Sequence, residues 1–200
     1  MDLQDICTHL GNVNMQPVAN GFRFNWNTDG NYTVCTLRKM IDSKISTHQT
    51  NLQMHWSKTI PLKIKCCIWR VMQDRIPMAV NLEKRGVSLQ SALCPLCNNI
   101  TESVDHIMIR CPIATEARTW IFNWCNIPIT NFSDVNEFVN YAADWGRNTK
   151  EKERIIAIMY ALLWTIWVER NNAVFKGINA KSANIVDEVI NKCLQARWIE

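Results

Sequence analysis

Apolar residues recur every three or four positions along most of the chain, which is the period of a helix that buries one face. The clearest stripe lies within residues 61–75 and comprises Ile64, Cys67, Ile68, Val71 and Met72. The same spacing predicts further helices over residues 33–42, 79–85, 103–109, 113–124, 135–145, 151–170 and 182–198. Pro77 and Gly86 end the helices that precede them. The pattern therefore predicts a mainly α-helical protein.

One N-terminal stretch shows the alternation of a β-strand instead. Phe22, Phe24 and Trp26 alternate with polar residues, and residues 27–30, with the sequence Asn-Thr-Asp-Gly, have the composition of a tight turn. The alternation resumes after this turn, so we expect a small β-hairpin. Residues 43–53 are polar and predict a loop.

The composition is that of a protein with a packed core. Of the 200 residues, 48% are hydrophobic and nine are tryptophan, enough for one domain or two small ones. The apolar run at residues 155–168 carries no charge, but it is short of the roughly 20 residues that a membrane-spanning helix needs. No secretory signal pattern is visible, and nine irregularly spaced cysteines are typical of a reducing compartment. We therefore expect a nuclear or cytoplasmic protein that is neither secreted nor membrane-bound.

Four residues with the side chains of metal ligands lie within eighteen positions. Cys94, Cys97, His106 and Cys111 follow the spacing Cys-x2-Cys-x8-His-x4-Cys. Three thiolates and one imidazole form a tetrahedral set that Zn²⁺ prefers, and a two-residue gap lets one tight turn direct two sulfurs at one ion. All four positions are then filled by protein, so the zinc is expected to stabilise the fold and not to catalyse a reaction.

The second half of this site depends on a break in the helix. Along a continuous helix, Cys111 would point about 140° away from His106, and one ion could not bind both. Pro112 disfavours helical backbone at Cys111 and suits the first turn of a new helix. Thr101 or Ser103 is placed to cap the short helix that carries His106.

Other interpretations of the cysteines remain open. The three in the motif could be small buried hydrophobic residues, or they could form a disulfide. Four further cysteines fall in helical patterns and are expected to pack in the core: Cys35, Cys66, Cys67 and Cys193.

The net charge of +4 is mild, but the charges are unevenly distributed. Seven basic residues precede the metal motif: Lys58, Lys63, Lys65, Arg70, Arg75, Lys84 and Arg85. Only two acids accompany them, whereas residues 101–145 carry six acids against two bases. A basic segment of this kind could bind a phosphate backbone, and it could equally be a solvated helix face.

Several short motifs occur together in one order: Trp56-Ser57-Lys58-Thr59-Ile60-Pro61, Trp69-Arg70, Arg75-Ile76-Pro77, Lys84-Arg85-Gly86-Val87, Cys94-Pro95-Leu96-Cys97, Asp105-His106 and Cys111-Pro112. Over residues 56–124 this order resembles the zinc-binding domain found beside reverse transcriptases of plant LINE-type retrotransposons. The flanking segments, including Glu169-Arg170-Asn171-Asn172, are also similar to the surroundings of that domain.

The resemblance implies zinc at the four ligands and a nucleic-acid task beside a reverse transcriptase. It predicts a zinc-binding module that binds RNA or DNA with weak sequence specificity. The module is expected to be non-catalytic, since the paired aspartates of a polymerase are missing. The alternatives are a scaffold that binds other proteins and a decayed element fragment. Trp56 and Trp69 could stack on unpaired bases, although core packing is the more common role of tryptophan.

Together these observations predict a small helical zinc-binding domain at residues 56–125. An N-terminal hairpin, a helix and a polar loop precede it at residues 1–55. A C-terminal helical extension follows at residues 126–200, and the acidic stretch after residue 126 is the candidate boundary.

Overall fold

The computed structural model describes residues 15–18, 21–24 and 54–196, together with positions 34, 35 and 38. The chain divides into two units, residues 1–51 and 52–200. In the first unit, strands β1 (Met15–Val18) and β2 (Gly21–Phe24) pair antiparallel, with Met15 opposite Phe24. The predicted hairpin turn at residues 27–30, most of the predicted helix 33–42 and the whole of the loop 43–53 lie outside the described residues.

The second unit is mainly helical, as predicted. It contains α1 (Leu62–Met72), α2 (Ala79–Glu83), α3 (Pro112–Trp124), α4 (Val135–Asp144), α5 (Thr149–Lys176) and α6 (Ser182–Gln195). A π-helical turn, His106–Arg110, precedes α3. Among the described residues, no helix is both long enough and apolar enough to cross a membrane.

Helix α5 is the centre of this unit. It packs against α1, α4, α6 and the π-helical turn, while α3 packs against α6 and the same turn. Residues 155–163 of α5 are all buried, which is expected of a helix that is apolar on every side and surrounded by others. The core cluster includes residues from both sides of the predicted domain boundary near residue 126.

Local signals account for where the longer helices begin. The side chain of Asp134 accepts the backbone N–H of Glu137 at the start of α4, and Asn148 accepts that of Glu151 at the start of α5. Helix α5 continues six residues beyond the predicted end at residue 170, because no helix-breaking residue occurs before Gly177. Gly177 adopts a left-handed conformation with φ of +64° and terminates the helix.

Two of the four cysteines expected in the core are instead exposed. Cys67 and Cys193 are buried, whereas Cys35 and Cys66 are exposed. Cys66 precedes the buried stripe residue Cys67 by one position, so it is rotated by about 100° toward solvent. The preference for core packing was also wrong for Trp56 and Trp69, whose exposed fractions are 55% and 41%.

Candidate metal centre

A tight turn places the first two cysteines side by side. The backbone N–H of Asn98 donates to the carbonyl of Cys94 at 2.8 Å, and Asn98 adopts φ of +54°, which asparagine tolerates better than most residues. On either side of the turn, Leu93 and Thr101 form a single antiparallel bridge. The sequence Cys94-Pro95-Leu96-Cys97 therefore forms a closed turn, the knuckle.

The π-helical turn at His106–Arg110 positions the last two predicted ligands, His106 and Cys111. The hydroxyl of Ser103 accepts the N–H of His106 at 3.2 Å, and the N–H of Cys111 donates to the carbonyl of His106 at 2.6 Å. This bond spans five residues, the spacing of a π-helix, and it opens the turn. Cys111 then adopts extended backbone, with φ of −60° and ψ of 132°, and Pro112 begins α3. The helix thus breaks at Cys111, as the following Pro112 predicts. The π-helical form of the turn before it was not predicted.

Ile109 lies in the last turn before the helix breaks at Cys111, where carbonyls lack a partner in their own helix. Arg118 donates to the carbonyl oxygen of Ile109 at 2.8 Å, and the hydroxyl of Thr115 donates to it at 3.0 Å. Arg118 is buried beneath the ring of Phe132, and burial lowers its pKa. Arg118 and Thr115 thus satisfy a carbonyl that would otherwise be unpaired, and they connect α3 to the end of the π-helical turn.

The four side chains meet at one point. Their ligand atoms all lie within 4.8 Å of one another, and Cys94, His106 and Cys111 are buried while Cys97 is partly exposed. The Sγ atoms of Cys94 and Cys111 are 4.0 Å apart, and Sγ of Cys97 lies 3.3 Å from Nε2 of His106.

These separations suit a tetrahedral metal ion. With bonds of about 2.3 Å to sulfur and 2.0 Å to nitrogen, zinc would place two sulfurs about 3.8 Å apart and sulfur and nitrogen about 3.5 Å apart. The 4.0 Å between Cys94 and Cys111 is far longer than the ~2.05 Å of a disulfide. The donor set and its spacing therefore fit a metal ion better than a disulfide.

Backbone amides surround the buried sulfurs and favour the thiolate form. The N–H groups of Leu96 and Cys97 donate to Cys94, and those of Ile113 and Ala114, at the start of α3, donate to Cys111. Such bonds lower a thiol pKa because they stabilise negative charge on sulfur.

The two buried thiols also interact with each other. Cys94 donates to Cys111, which raises the pKa of Cys94 and lowers the pKa of Cys111. A divalent cation at the centre would replace the shared proton and hold both sulfurs as thiolates. For His106, burial first and the charge of Arg110 second lower the pKa, so its imidazole stays in the neutral form that binds metals.

A buried ion pair joins the loop between the ligands to α5. The carboxylate of Glu102 accepts from Nε and Nη2 of Arg170 at 2.5 and 2.9 Å, and from the backbone N–H of Ala79 at 2.8 Å. Only 3% of Glu102 and 5% of Arg170 are exposed. Nη2 also donates to the carbonyl of Pro77, and the guanidinium lies 5.3 Å from the ring of Trp167. The sequence contained both residues, but nothing in it indicated that they pair.

The seven predicted nucleic-acid contacts are distributed along the surface. Six are exposed, namely Lys58, Lys63, Arg70, Arg75, Lys84 and Arg85. Lys65 is partly buried and its Nζ donates to the carbonyl of Ser57 at 2.7 Å. Nζ of Lys63 also lies 5.9 Å above the ring of Trp164. Three of the seven lie on α1, while the others precede or follow it in loops and at the end of α2.

An apolar groove of about 510 Å³ lies beside the knuckle. Its lining includes Leu82, Leu93, Pro95, Trp167, Val174 and Phe175. Phe175 is 77% exposed, which is unusual for a large aromatic residue. Sequence analysis did not predict this groove, because its walls come from segments that are distant in the chain.

The segment that contains the knuckle and the four ligands also matches a known protein family. Residues 26–120 match the family model of zinc-binding in reverse transcriptase. The match covers 95 of 200 residues, just under half of the chain, and includes all four ligands and all seven basic residues. It ends within α3, so α4, α5 and α6 lie beyond it. No curated protein and no solved structure matches the chain.

Proposed function

We propose that this chain is a non-catalytic zinc module that binds nucleic acid beside a reverse transcriptase. The metal part of the proposal is supported by the four converging ligands, by their near-tetrahedral separations and by the family match. Zinc is the ion that three thiolates and one imidazole favour in a closed site. Because protein fills all four positions, the ion would stabilise the fold, and the module would leave catalysis to its neighbour.

The nucleic-acid part is supported mainly by the surface of α1. The residues on the side opposite the buried stripe are exposed or partly exposed, and they include Lys63, Lys65 and Arg70. We call this surface the outer face of α1; it also contains Leu62, Cys66 and Trp69. Cations of this kind bind phosphates without reading sequence. The motifs similar to plant LINE-type elements support an origin in a retrotransposon polyprotein and a nuclear or cytoplasmic location.

Charge reversal on the outer face should weaken binding strongly. In Lys63→Glu/Arg70→Glu, we expect the affinity for RNA or DNA to fall more than tenfold at about 0.1 M salt, because two phosphate contacts become repulsive. For the unmodified protein, log Kd should rise linearly with log salt, by about 0.7 per contact for single strands and 0.9 for duplex. Fluorescence anisotropy with labelled oligonucleotides at several salt concentrations measures both quantities.

Lys150→Glu/Lys181→Glu is the matched control. It changes the net charge equally, and both lysines are exposed and distant from α1 in the sequence. Both lie at or next to the N-terminus of a helix, where a negative charge is tolerated. If both double variants weakened binding equally, the outer face of α1 would not be the site. Salt-independent binding, or none, would refute the nucleic-acid proposal while leaving the zinc proposal intact.

A protein-binding scaffold is the second candidate, and the apolar groove beside the knuckle favours it. Exposed Phe175 and Val174 at its wall are residues that a partner protein would cover. Saturable binding of a purified reverse transcriptase domain that Phe175→Ser abolishes, without retention on RNA or DNA, would support the scaffold over the nucleic-acid module.

A further inference from the structure

We propose that the outer face of α1 stacks unpaired bases, so that the module selects single-stranded over duplex nucleic acid. This inference rests on the proposed nucleic-acid function and adds the class of strand. It begins with the apolar residues of that face. At 100° per residue, Leu62, Cys66 and Trp69 fall within about 60° of one another, opposite the buried stripe. Leu62 is 65% exposed and Trp69 is 41% exposed, so they form an apolar ridge on the surface.

Cations lie on both sides of this ridge. On the helix, Lys63 and Arg70 are rotated to one side of it and Lys65 to the other. Lys63 is directed toward Trp164 and Lys65 toward the carbonyl of Ser57. An apolar ridge with two cations on one side and one on the other matches a single strand, whose bases are apolar on their faces and whose phosphates are anionic.

A second exposed indole belongs to the segment that precedes α1. The bond from Lys65 to Ser57 fixes the segment before α1 against the middle of the helix. Ser57 is buried, and its hydroxyl also accepts the backbone N–H of Thr59 at 3.2 Å, so the segment is held in place locally. Trp56 adjoins Ser57 and is 55% exposed. Trp56 is thus the neighbour in the chain of the residue that Lys65 binds, and Trp69 lies one turn after Lys65 on the helix.

The preference for single strands follows from the availability of base faces. In a duplex every base face is already stacked on its neighbours, so an exposed indole gains little by approaching it. An unpaired base offers its face freely, and each stack on an aromatic side chain strengthens binding by roughly tenfold. Both kinds of strand would bind the cations, but only the single strand would also bind the indoles.

Trp120 provides a matched control on the same protein. It is 59% exposed on α3, so its indole is as accessible as that of Trp56. Its neighbour one turn earlier is the exposed acid Glu116, and the one arginine of α3 is buried. An exposed indole beside an acid, without a cation near it on its own helix, is not expected to hold a nucleic acid.

The test compares a labelled 15-nucleotide oligouridine with a duplex of the same length, on the zinc-loaded full chain at one salt concentration. We expect Trp69→Ala to lower the affinity for the single strand roughly tenfold, to leave duplex affinity within about twofold, and not to alter the salt dependence. Trp69→Phe should retain most of the affinity for the single strand. Trp120→Ala should not change the affinity for either oligonucleotide. Far-ultraviolet circular dichroism and metal content show whether each variant is folded.

Cys66 gives a second readout that needs no substitution. It is exposed on the ridge, one turn from Trp69, so bound oligouridine should protect it from iodoacetamide while the exposed Cys35, in the other unit, stays reactive. Peptide mass spectrometry locates the modified cysteines. Protection of Cys66 by oligouridine but not by the duplex would support the inference, even if Trp69→Ala failed to fold.

The outcomes separate this inference from the proposed function. Equal affinity for the two strands, together with no effect of Trp69→Ala, would overturn base stacking but leave nucleic-acid binding standing. No binding of either strand would overturn both. Displacement of oligouridine by an acidic peptide that protects Cys66 equally well would assign the outer face to an acidic protein and also refute base stacking.

Discussion

Removal of the metal is expected to unfold at least residues 86–124. Structural zinc contributes about 10–16 kcal/mol of apparent binding energy in small zinc-finger peptides, which is comparable to the whole stability of a domain. Chelation, Cys97→Ser or His106→Ala should therefore each remove the cooperative unfolding transition of this region. The knuckle and the π-helical turn contribute buried residues to the core, so loss of the ion should also loosen the packing around them.

Trypsin provides a local measurement of this loss. Arg118 is buried in α3, so the bond after it should resist trypsin in the zinc-loaded protein and become cleavable after chelation. Cys66→Ser is the matched control, because this cysteine is exposed and is not a ligand. Metal content of one zinc per chain should accompany the protected state. If His106→Ala kept the zinc-loaded melting temperature and resisted cleavage at Arg118, the ion would not hold the fold.

Acid, like chelation, is expected to destabilise the folded protein, and two separate causes contribute. Protons compete with zinc for the thiolates, so affinity falls as pH falls. The pKa of His106 is lowered in the folded protein, so below its ordinary value of 6.5 the unfolded state binds a proton that the folded state does not. Stability therefore increases with pH through this window and is lost on acidification. Circular dichroism between pH 7 and pH 4 measures the loss, and Cys66→Ser should follow the unmodified protein.

Local signals in the sequence account for much of this structure. The apolar stripe of α1 can be recognised from the spacing of residues within that segment alone. The knuckle follows from the two-residue gap between Cys94 and Cys97, which contains Pro95. The exposure of Trp69 could have been derived in the same way, because its position on the helix places it with Leu62, opposite the stripe. The common burial of tryptophan in protein cores predicts the opposite, and here the position on the helix decides.

Long-range partners could not be derived in this way. Arg118 donates to the carbonyl of Ile109 nine positions earlier, and no local signal in the sequence indicated a π-helical turn at residues 106–110. Glu102 and Arg170 are separated by 68 positions, and either would be expected on the surface. Only the fold shows that each neutralises the other.

Breaking this ion pair is the second change with a large expected effect. Arg170→Met leaves the carboxylate of Glu102 buried without its cation, and Glu102→Gln leaves the guanidinium of Arg170 buried without its anion. Removing one partner of a buried pair typically costs 3–5 kcal/mol, so each variant should lower the free energy of unfolding by about that amount. Urea unfolding of the zinc-loaded protein measures it.

The double variant tests whether the cost arises from an unpaired charge. Glu102→Gln/Arg170→Met buries no charge, and its amide oxygen can still accept the N–H of Ala79, so it should lose less than the sum of the two single variants. Glu188→Gln is the matched control, because its pair with Lys192 is exposed on α6 and should contribute at most about 0.5 kcal/mol. Additive losses in the double variant would show that the two residues act separately.

The position of the pair gives it a further consequence for the metal. Glu102 lies between Cys97 and His106, while Arg170 belongs to α5, which the family match does not reach. Helix α5 thus stabilises the loop that spaces the ligands, and in Arg170→Met a chelator should remove zinc faster than from the unmodified protein. Zinc loss at an unchanged rate, despite a large loss of stability, would mean that the knuckle and the π-helical turn hold the ion without help from α5.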